Sequence, residues 1–183
     1  MTSLQGQLLI ASADLRDPNF FHTVVLMVRH GDDGALGLVL NRPVEATLQQ
    51  VWQQVSQQPC LRDDRLRVGG PCEGPLMAVH EDPALAESEI AGGLYFCTGR
   101  DVLEQLARDE TRRALFFGGF SGWGAQQLEG EMEQDSWHVL PAKPVHVFEP
   151  EVDLWDKLMR EVAGRKILSA LKIRDVPPDL RLN

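Results

Sequence analysis

The chain has 183 residues, of which 43% are hydrophobic and 25% charged, a balance that suits one ordinary globular domain with its own core. Eighteen lysines and arginines stand against 27 aspartates and glutamates, which gives a formal net charge of −9 at pH 7. This charge argues against direct binding to nucleic acids or to anionic membranes, because both depend on basic surfaces.

The densest basic run of the chain comprises Arg62, Arg65 and Arg67. Asp63 and Asp64 interrupt this run, so its charges alternate in sign rather than forming a stripe. A stripe of cations is what a phosphate backbone requires. We therefore interpret the run as a solvated loop.

The cysteines and the apolar segments indicate a reducing, cytoplasmic setting. Cys60, Cys72 and Cys97 are odd in number and widely spaced, which does not fit a secreted disulfide framework. The apolar run at 8–11 is too short for a signal peptide, and no run reaches the ~18 apolar residues of a membrane span. We expect one domain over residues 1–183, with a loose tail at 177–183.

The first half of the chain predicts strands arranged around a hairpin. Apolar runs typical of short or buried strands lie at 7–11, 23–29, 36–40, 66–69, 75–80 and 93–97. The second and third of these runs flank a glycine- and aspartate-rich turn at 30–34, which predicts a central antiparallel hairpin. An amphipathic helix is predicted at 48–57, with Thr47 as its N-cap.

The second half of the chain predicts a mixture of strands and helices. Strands are predicted at 114–117, where the run ends at Gly118-Gly119, at 136–140 and at 145–148. Helices are predicted at 102–108 with Asp101 as N-cap, at 122–134 with Ser121 as N-cap, and at 151–163 with Gly164 as C-cap, followed by one or two helical turns at 165–172. This order lacks a regular strand–helix–strand rhythm, so we predict an α+β fold: a single compact domain with a largely antiparallel mixed sheet flanked by helices.

None of the familiar catalytic or metal-binding patterns is complete in this sequence. The five histidines form no His-x-x-x-His pair, and no cysteine lies close to them. The stretch 68–71, which contains Gly69 and Gly70, is interpreted as a tight turn, with an anion-binding nest of amides as the alternative. Ser121 does not lie in a Gly-x-Ser-x-Gly elbow. We therefore assign no catalytic residue, no metal and no cofactor.

The helix predicted after Ser121 carries polar side chains beside an apolar face. At 100° per residue, Gln127 and Glu131 lie one turn apart, between Trp123 and an apolar stripe. Polar groups at the edge of a buried face must be hydrogen-bonded, because burial without a partner costs roughly 1–3 kcal/mol. These side chains therefore either tie the helix to a neighbouring loop or line a cleft.

Two polar residues at the end of the 36–40 strand are natural partners for that helix. Asn41 and Arg42 occupy this position, and an arginine pairs strongly with a carboxylate. We expect Arg42 and Glu131 to share one polar cluster. The complete candidate cleft comprises Asn41, Arg42, Gly69, Gly70, His80, Trp123, Gln127 and Glu131.

Several sequence blocks resemble those of the YqgE/AlgH family, and they keep their order along nearly the whole chain. They are 6–11 (GQLLIA) with Asp17 and Phe20-Phe21, 34–43 (GALGLVLNRP), 69–71 (GGP) with Val79-His80, and 119–124 (GFSGWG) with Gln127-Leu128-Glu129, Glu131 and Trp137. The resemblance implies a mixed domain with a largely antiparallel sheet and outer helices. It implies no established activity, and the family label is that of a transcriptional regulator linked to alginate production.

One position departs from the pattern of this family. The family usually has a glycine before the Gln-Leu-Glu run, where this chain has Gln126. A glycine at this point would let another backbone approach closely. A ligand cleft at that spot would therefore be altered in this chain.

Three functions remain open at this stage. The leading hypothesis is a regulatory or interaction protein without catalytic turnover, acting on an unknown protein partner. The alternative is a small-molecule sensor or enzyme that uses the candidate cleft. The third is a direct DNA-binding repressor, which the acidic charge and the lack of a recognisable DNA-reading helix disfavour.

Overall fold

The computed structural model describes residues 3–148 and 153–171, so the tail predicted at 177–183 lies outside the described residues. Its strands are β1 Gln7–Ala11, β2 Val24–Gly31, β3 Gly34–Val39, β4 Pro43–Thr47, β5 Arg65–Val68, β6 Cys72–His80, β7 Ser88–Ala91, β8 Leu94–Cys97, β9 Ala114–Trp123 and β10 Trp137–Pro141. Its α-helices are α1 Leu48–Val55, α2 Arg100–Ala107, α3 Gln127–Glu133, α4 Pro144–Phe148 and α5 Leu154–Ala170. The predicted α+β class is confirmed. Of these helices, none has the length and apolar character needed to cross a bilayer.

The strands form one sheet in the order β10-β1-β2-β3-β9-β6-β8-β7. Neighbours along this path are antiparallel, whereas β5 pairs in parallel with β9 and antiparallel with β4. The sheet curls so that its edge strand β7 approaches the residues just before β1. Gln5 Nε2 donates to the carbonyls of Glu89 and Ile90 near β7, and Gly6 packs directly against Ala91.

Apolar runs without alternation arise because both faces of the sheet are covered. On β1, Leu8 belongs to the core that also holds Leu158 of α5. Its neighbour Leu9 points the other way, into a second core beneath α3 that includes Leu128. A third core lies under α1 and α2 around Phe116 of β9. The predicted hairpin at 23–40 is confirmed as the β2–β3 pair.

The prediction of a helix that begins at 122, with Ser121 as its N-cap, is wrong. Strand β9 continues through Gly118-Gly119 to Trp123, since its second half pairs with both β3 and β6. Ser121 is fully buried in this strand, where its hydroxyl donates to the carbonyl of Gly69 at 3.1 Å. The helix begins only at Gln127.

Other helix boundaries also differ from the predictions. Residues 145–148 belong to α4 rather than to a strand, and Gly164 lies inside α5 rather than ending it. A mid-helix glycine costs about 1 kcal/mol relative to alanine, which the burial of Leu158 offsets. Gly99, not Asp101, is the N-cap of α2. The strand β7 had no counterpart among the predicted elements.

Candidate functional site

The carboxylate of Glu131 on α3 contacts two other predicted site residues, Trp123 and Gln127, and also Trp137. Glu131 Oε2 accepts the indole N–H groups of Trp123 at 3.0 Å and Trp137 at 2.8 Å. Glu131 Oε1 accepts from Gln127 Nε2 at 3.3 Å. We call these four residues the Glu131 cluster. Each donor comes from a different element or turn, so the carboxylate ties α3 to the ends of β9 and β10.

An aromatic side chain from the loop after β1 seals this cluster. The ring of Phe20 stacks on Trp123 at a centroid distance of 5.7 Å and meets Trp137 edge-on at 5.3 Å. The two tryptophan rings lie 6.2 Å apart at a steep angle. Aromatic pairs in these geometries stabilise a fold beyond their buried area. The cluster therefore favours a tie between elements rather than an open cleft.

The Asn-Arg pair after β3 holds the same loop from the other side. Asn41 Nδ2 donates to the carbonyl of His22 at 2.8 Å, and its Oδ1 accepts from Val24 N at 2.9 Å. Arg42 Nη2 donates to the carbonyl of Phe21 at 2.6 Å. His22 has a φ of 52°, in the left-handed region, and its ring lies between those of Phe21 and Trp155. Asn41 thus fixes a backbone conformation that side chains disfavour.

The structure does not place Arg42 against Glu131. In the described part of the chain the two share no hydrogen bond and no ion pair. They are linked indirectly through two neighbouring residues of one loop: Arg42 binds the carbonyl of Phe21, and Phe20 covers the tryptophans that hold Glu131. Asn41 and Arg42 are therefore connected to the Glu131 cluster only through this loop.

The paired glycines after β5 lie in the interior, where strands cross closely. Gly69 N donates to Gly118 O at 3.0 Å, and Gly69 O accepts from Val39 N at 2.9 Å. A Cβ on Gly69 would lie 2.2 Å from the carbonyl oxygen of Gly119. Because the Gly69 amide is already hydrogen-bonded to the sheet, the geometry favours the tight turn over an anion-binding nest.

His80, at the end of β6, is remote from these residues in the sheet and fully buried. Its Nδ1 accepts from Asp82 N at 3.2 Å, while Nε2 has no hydrogen-bond partner among residues 3–148 and 153–171. Burial lowers the pKa of His80, so the ring is neutral at physiological pH. The eight predicted residues thus form four separate groups.

Cys60 and Cys97 are not activated thiolates. Cys97 is fully buried, and burial raises its pKa to about 12. Burial also raises the pKa of Cys60, whose thiol donates to the carbonyl of Arg62. A nucleophilic cysteine needs a lowered pKa. Within the described residues, moreover, no three His, Cys, Asp or Glu side chains are grouped so as to hold a metal ion.

A cleft of about 710 Å³ lies between the β4–β5 pair, the segment before β9, and α4. Asn41 is the only predicted site residue that lines it within the described chain. Five arginines but only two carboxylates line its wall: Arg62, Arg65, Arg67, Arg112, Arg113, Asp64 and Glu110. We call this feature the arginine cleft. The interpretation of the basic run at 62–67 as a solvated loop is therefore incomplete.

Arg62 forms the buried back of the arginine cleft, with 4% of its surface exposed. Its Nε and Nη2 bind Asp64 at 2.7 and 3.3 Å, and its Nη1 binds the carbonyls of Asp109 and Arg112 at 3.0 and 2.7 Å. Arg112 in turn forms ion pairs with Asp82 and Asp109. Because Arg62 is saturated and Arg112 is paired with two carboxylates, both shape the cleft rather than serve a ligand.

Comparison with protein families gives a match along most of the chain. The family model described as AlgH-like (DUF179) matches residues 8–166. A UPF0301 protein of Xanthomonas campestris pv. campestris is 36% identical over 182 residues, covering 95% of each chain. A UPF0301 protein of Mycolicibacterium vanbaalenii is 37% identical over 171 residues, covering 85% of this chain and 81% of the relative.

Two solved structures share the fold described above. The solution structure of the AlgH protein from Pseudomonas aeruginosa matches with a TM-score of 0.73 and 31% identity, covering 96% of both chains. A crystal structure of a Corynebacterium diphtheriae protein matches with a TM-score of 0.69 and 22% identity, covering 88% of both chains. At that lower identity the likeness concerns the fold alone.

Proposed function

This chain belongs to the AlgH-like family, and from the contacts of its shared sequence blocks we propose that it is a regulatory binding protein without catalytic turnover. The observation that carries this proposal is the occupation of the polar groups in those blocks. Asn41, Arg42 and Glu131 all form hydrogen bonds to other groups of the same chain. A general base or nucleophile needs a group within reach of a substrate.

The arginine cleft is the surface best suited to the binding role. Its volume lies in the range of sites that enclose small molecules. It is built from residues outside the Glu131 cluster, so a ligand can bind there without disturbing α3. This supports a small-molecule sensor more than an enzyme, and regulation would follow from the liganded state acting on a protein partner in the cytoplasm.

Direct repression through DNA is the weaker proposal. The net charge of −9 disfavours binding to the negatively charged DNA duplex. The basic residues of the cleft line a concave surface, not a protruding helix that could enter a DNA groove. Four of its five arginines are also paired with carboxylates. The regulatory label of the family would therefore be satisfied indirectly in this chain.

A screen that separates binding from turnover tests this proposal. The purified chain is heated with individual metabolites, and a ligand present at 100 times its dissociation constant adds about 2.7 kcal/mol of stability. Every compound that raises the melting temperature is then incubated with the protein and followed by mass spectrometry. We expect stabilisation without conversion, whereas enzyme-dependent conversion of a stabilising compound contradicts the proposal.

A further inference from the structure

The arginine cleft lies in an acidic protein, and most of its cations are already paired. The whole chain has a formal charge of −9. Four of the five arginines that line the cleft form ion pairs: Arg62 with Asp64, Arg65 with Glu45, Arg112 with Asp82 and Asp109, and Arg113 with Glu81. Among the described residues, the cleft cation left to attract an anionic ligand is therefore Arg67.

Arg67 is the arginine of this cleft that lacks a carboxylate partner in the part of the chain described. Its Nε donates to the carbonyl of Leu40 at 2.8 Å, which orients the guanidinium. Burial lowers the pKa of Arg67, although the nearby Asp64 raises it. A partly buried cation normally has a counter-charge. Because Nε is occupied, the two Nη groups remain as a fork suited to two oxygens of one anion.

A buried imidazole lines the same cleft and adds a second unsatisfied group. His146 of α4 is 7% exposed, and its Nδ1 is enclosed without a hydrogen-bond partner among the residues described. Burial lowers the pKa of His146, so the ring is neutral near pH 7.

Part of the remaining wall of the cleft is apolar. Leu40, Leu115, Val147, Phe148 and Leu154 line it, and the guanidinium of Arg113 lies 5.1 Å from the ring of Phe148. Such a wall accommodates the hydrocarbon or ring portion of a ligand, and its volume exceeds what a bare inorganic ion would fill. The cleft thus combines an anion-binding fork with an apolar chamber.

We propose that the arginine cleft binds a phosphate monoester with an apolar or aromatic body, and that Arg67 grips the phosphate. A phosphate dianion is attracted to the guanidinium of Arg67 more strongly than a singly charged carboxylate is, and the apolar wall holds the organic portion. This inference rests on the proposed function because it takes the arginine cleft as the binding surface. It adds a ligand class and a contact residue, which the proposed function does not specify.

Phenyl phosphate is a suitable probe because it joins a phosphate to one ring. Titration of ¹⁵N-labelled wild-type protein should move the amides of Arg67, Leu115 and Val147 saturably, without any need for a variant. Inorganic phosphate and benzoate should bind the same place more weakly, and phenol should not bind. Shifts that are absent, or that lie elsewhere, would overturn the assignment, as would benzoate binding as tightly as phenyl phosphate.

A charge-matched pair of variants tests the contact residue. Arg67→Gln should weaken phenyl phosphate binding about 10- to 100-fold, as expected for the loss of a charge-assisted contact. Arg29→Gln removes the same charge from an exposed position of β2 outside the cleft and should leave the affinity unchanged. Circular dichroism establishes that both variants fold, and Arg67→Lys should recover part of the affinity. Equal affinity in a folded Arg67→Gln protein would overturn the role of Arg67.

The same titration separates this inference from the proposed function. If phenyl phosphate binds and is also hydrolysed to phenol by the protein, the ligand class stands and the non-catalytic function falls. If no phosphate ester binds in the cleft, the ligand class falls while the non-catalytic function is unaffected.

Discussion

Trp123 and Trp137 donate their indole N–H groups to the same carboxylate oxygen, Glu131 Oε2, from strands that are not neighbours in the sheet. One acceptor thus fixes the relative position of β9, β10 and α3. A hydrogen bond from an N–H group to a carboxylate contributes more to stability than one between two neutral groups. This relationship gives a structural role to the glutamate that lies one turn beyond Gln127.

We expect Glu131→Ala to lower the free energy of unfolding by about 3 kcal/mol, because two indole donors lose their acceptor in a partly buried site. Glu131→Gln should cost less, since one amide oxygen can still accept. Urea denaturation followed by tryptophan fluorescence measures both. Glu133→Ala, at an exposed position of the same helix, is the control, and an equal loss in the control would remove the role given to Glu131.

Asn41→Ala should lower the free energy of unfolding by about 2 kcal/mol, because both of its side-chain hydrogen bonds hold the loop before β2. Asn19→Ala, at an exposed position in the same loop, should have little effect. Amide exchange of Val24 should accelerate in Asn41→Ala, since its N–H loses its acceptor. Unchanged exchange at Val24 would contradict this account.

Gln126→Gly should stabilise the protein by roughly 0.5–1 kcal/mol. Gln126 has a φ of 60°, a left-handed conformation in which a side chain is strained and glycine is not. The neighbouring Ala125→Gly provides the control, because Ala125 does not have a positive φ, and it should bring no gain. The melting temperatures of the two variants test this prediction. A lower melting temperature for Gln126→Gly than for Ala125→Gly would contradict the strain assigned to Gln126.

Gly70→Ala should be severely destabilising, by more than about 3 kcal/mol, because its φ is 156° and a Cβ would lie 2.3 Å from the backbone of Phe120. Gly118→Ala is the matched substitution, since a Cβ there meets nothing within 4 Å. The yield and melting temperature of the two variants should differ sharply. Similar values would show that β9 can move away from the turn at little cost.

Stability should fall as the pH drops from 7.5 to 5.5. Burial lowers the pKa values of His80 and His146 in the folded protein, whereas both rings titrate near 6.5 when unfolded. The unfolded chain therefore binds more protons below pH 6.5, and acid favours unfolding. The carboxyl groups with lowered pKa values, Glu104 and Asp109, contribute losses only below about pH 4.5.

The variant His80→Gln isolates one of these histidines. It removes the titrating ring and should flatten the dependence of the unfolding free energy on pH between 5.5 and 7.5, whatever its effect at pH 7.5. Denaturation curves at several pH values give this slope. A slope equal to that of the wild type would show that His80 does not carry the effect.

Elements with a clear local period or apolar run could be predicted from the sequence. The runs that became β1, β2 and β3 were recognisable, as was the amphipathic face of α1, where Leu48 and Trp52 are buried. Gln127 and Glu131 were also correctly placed together, because one helical turn separates them. Trp123 joined them from the end of a strand rather than from the same helix.

What sequence reasoning missed depends on partners distant along the chain. The stretch around Ser121 contains glycines that suggest a break, yet β3 and β6 pair with it and hold it extended. Arg62 resembles a surface residue until the carbonyls of Asp109 and Arg112 surround it, roughly 50 residues further on. No local pattern reports such contacts, so the arginine cleft could not be found before the fold was known.

The pairing of β1 with β10 has a consequence for the nascent chain. Gln7 lies opposite Pro141, about 130 residues later, so the first strand leaves the ribosome long before its outer neighbour exists. At roughly 5–20 residues per second, this delay is on the order of ten seconds. For that time one edge of a strand in which residues 8–11 are all apolar stays unpaired, so the chain is open to pairing with other chains until its last strand arrives.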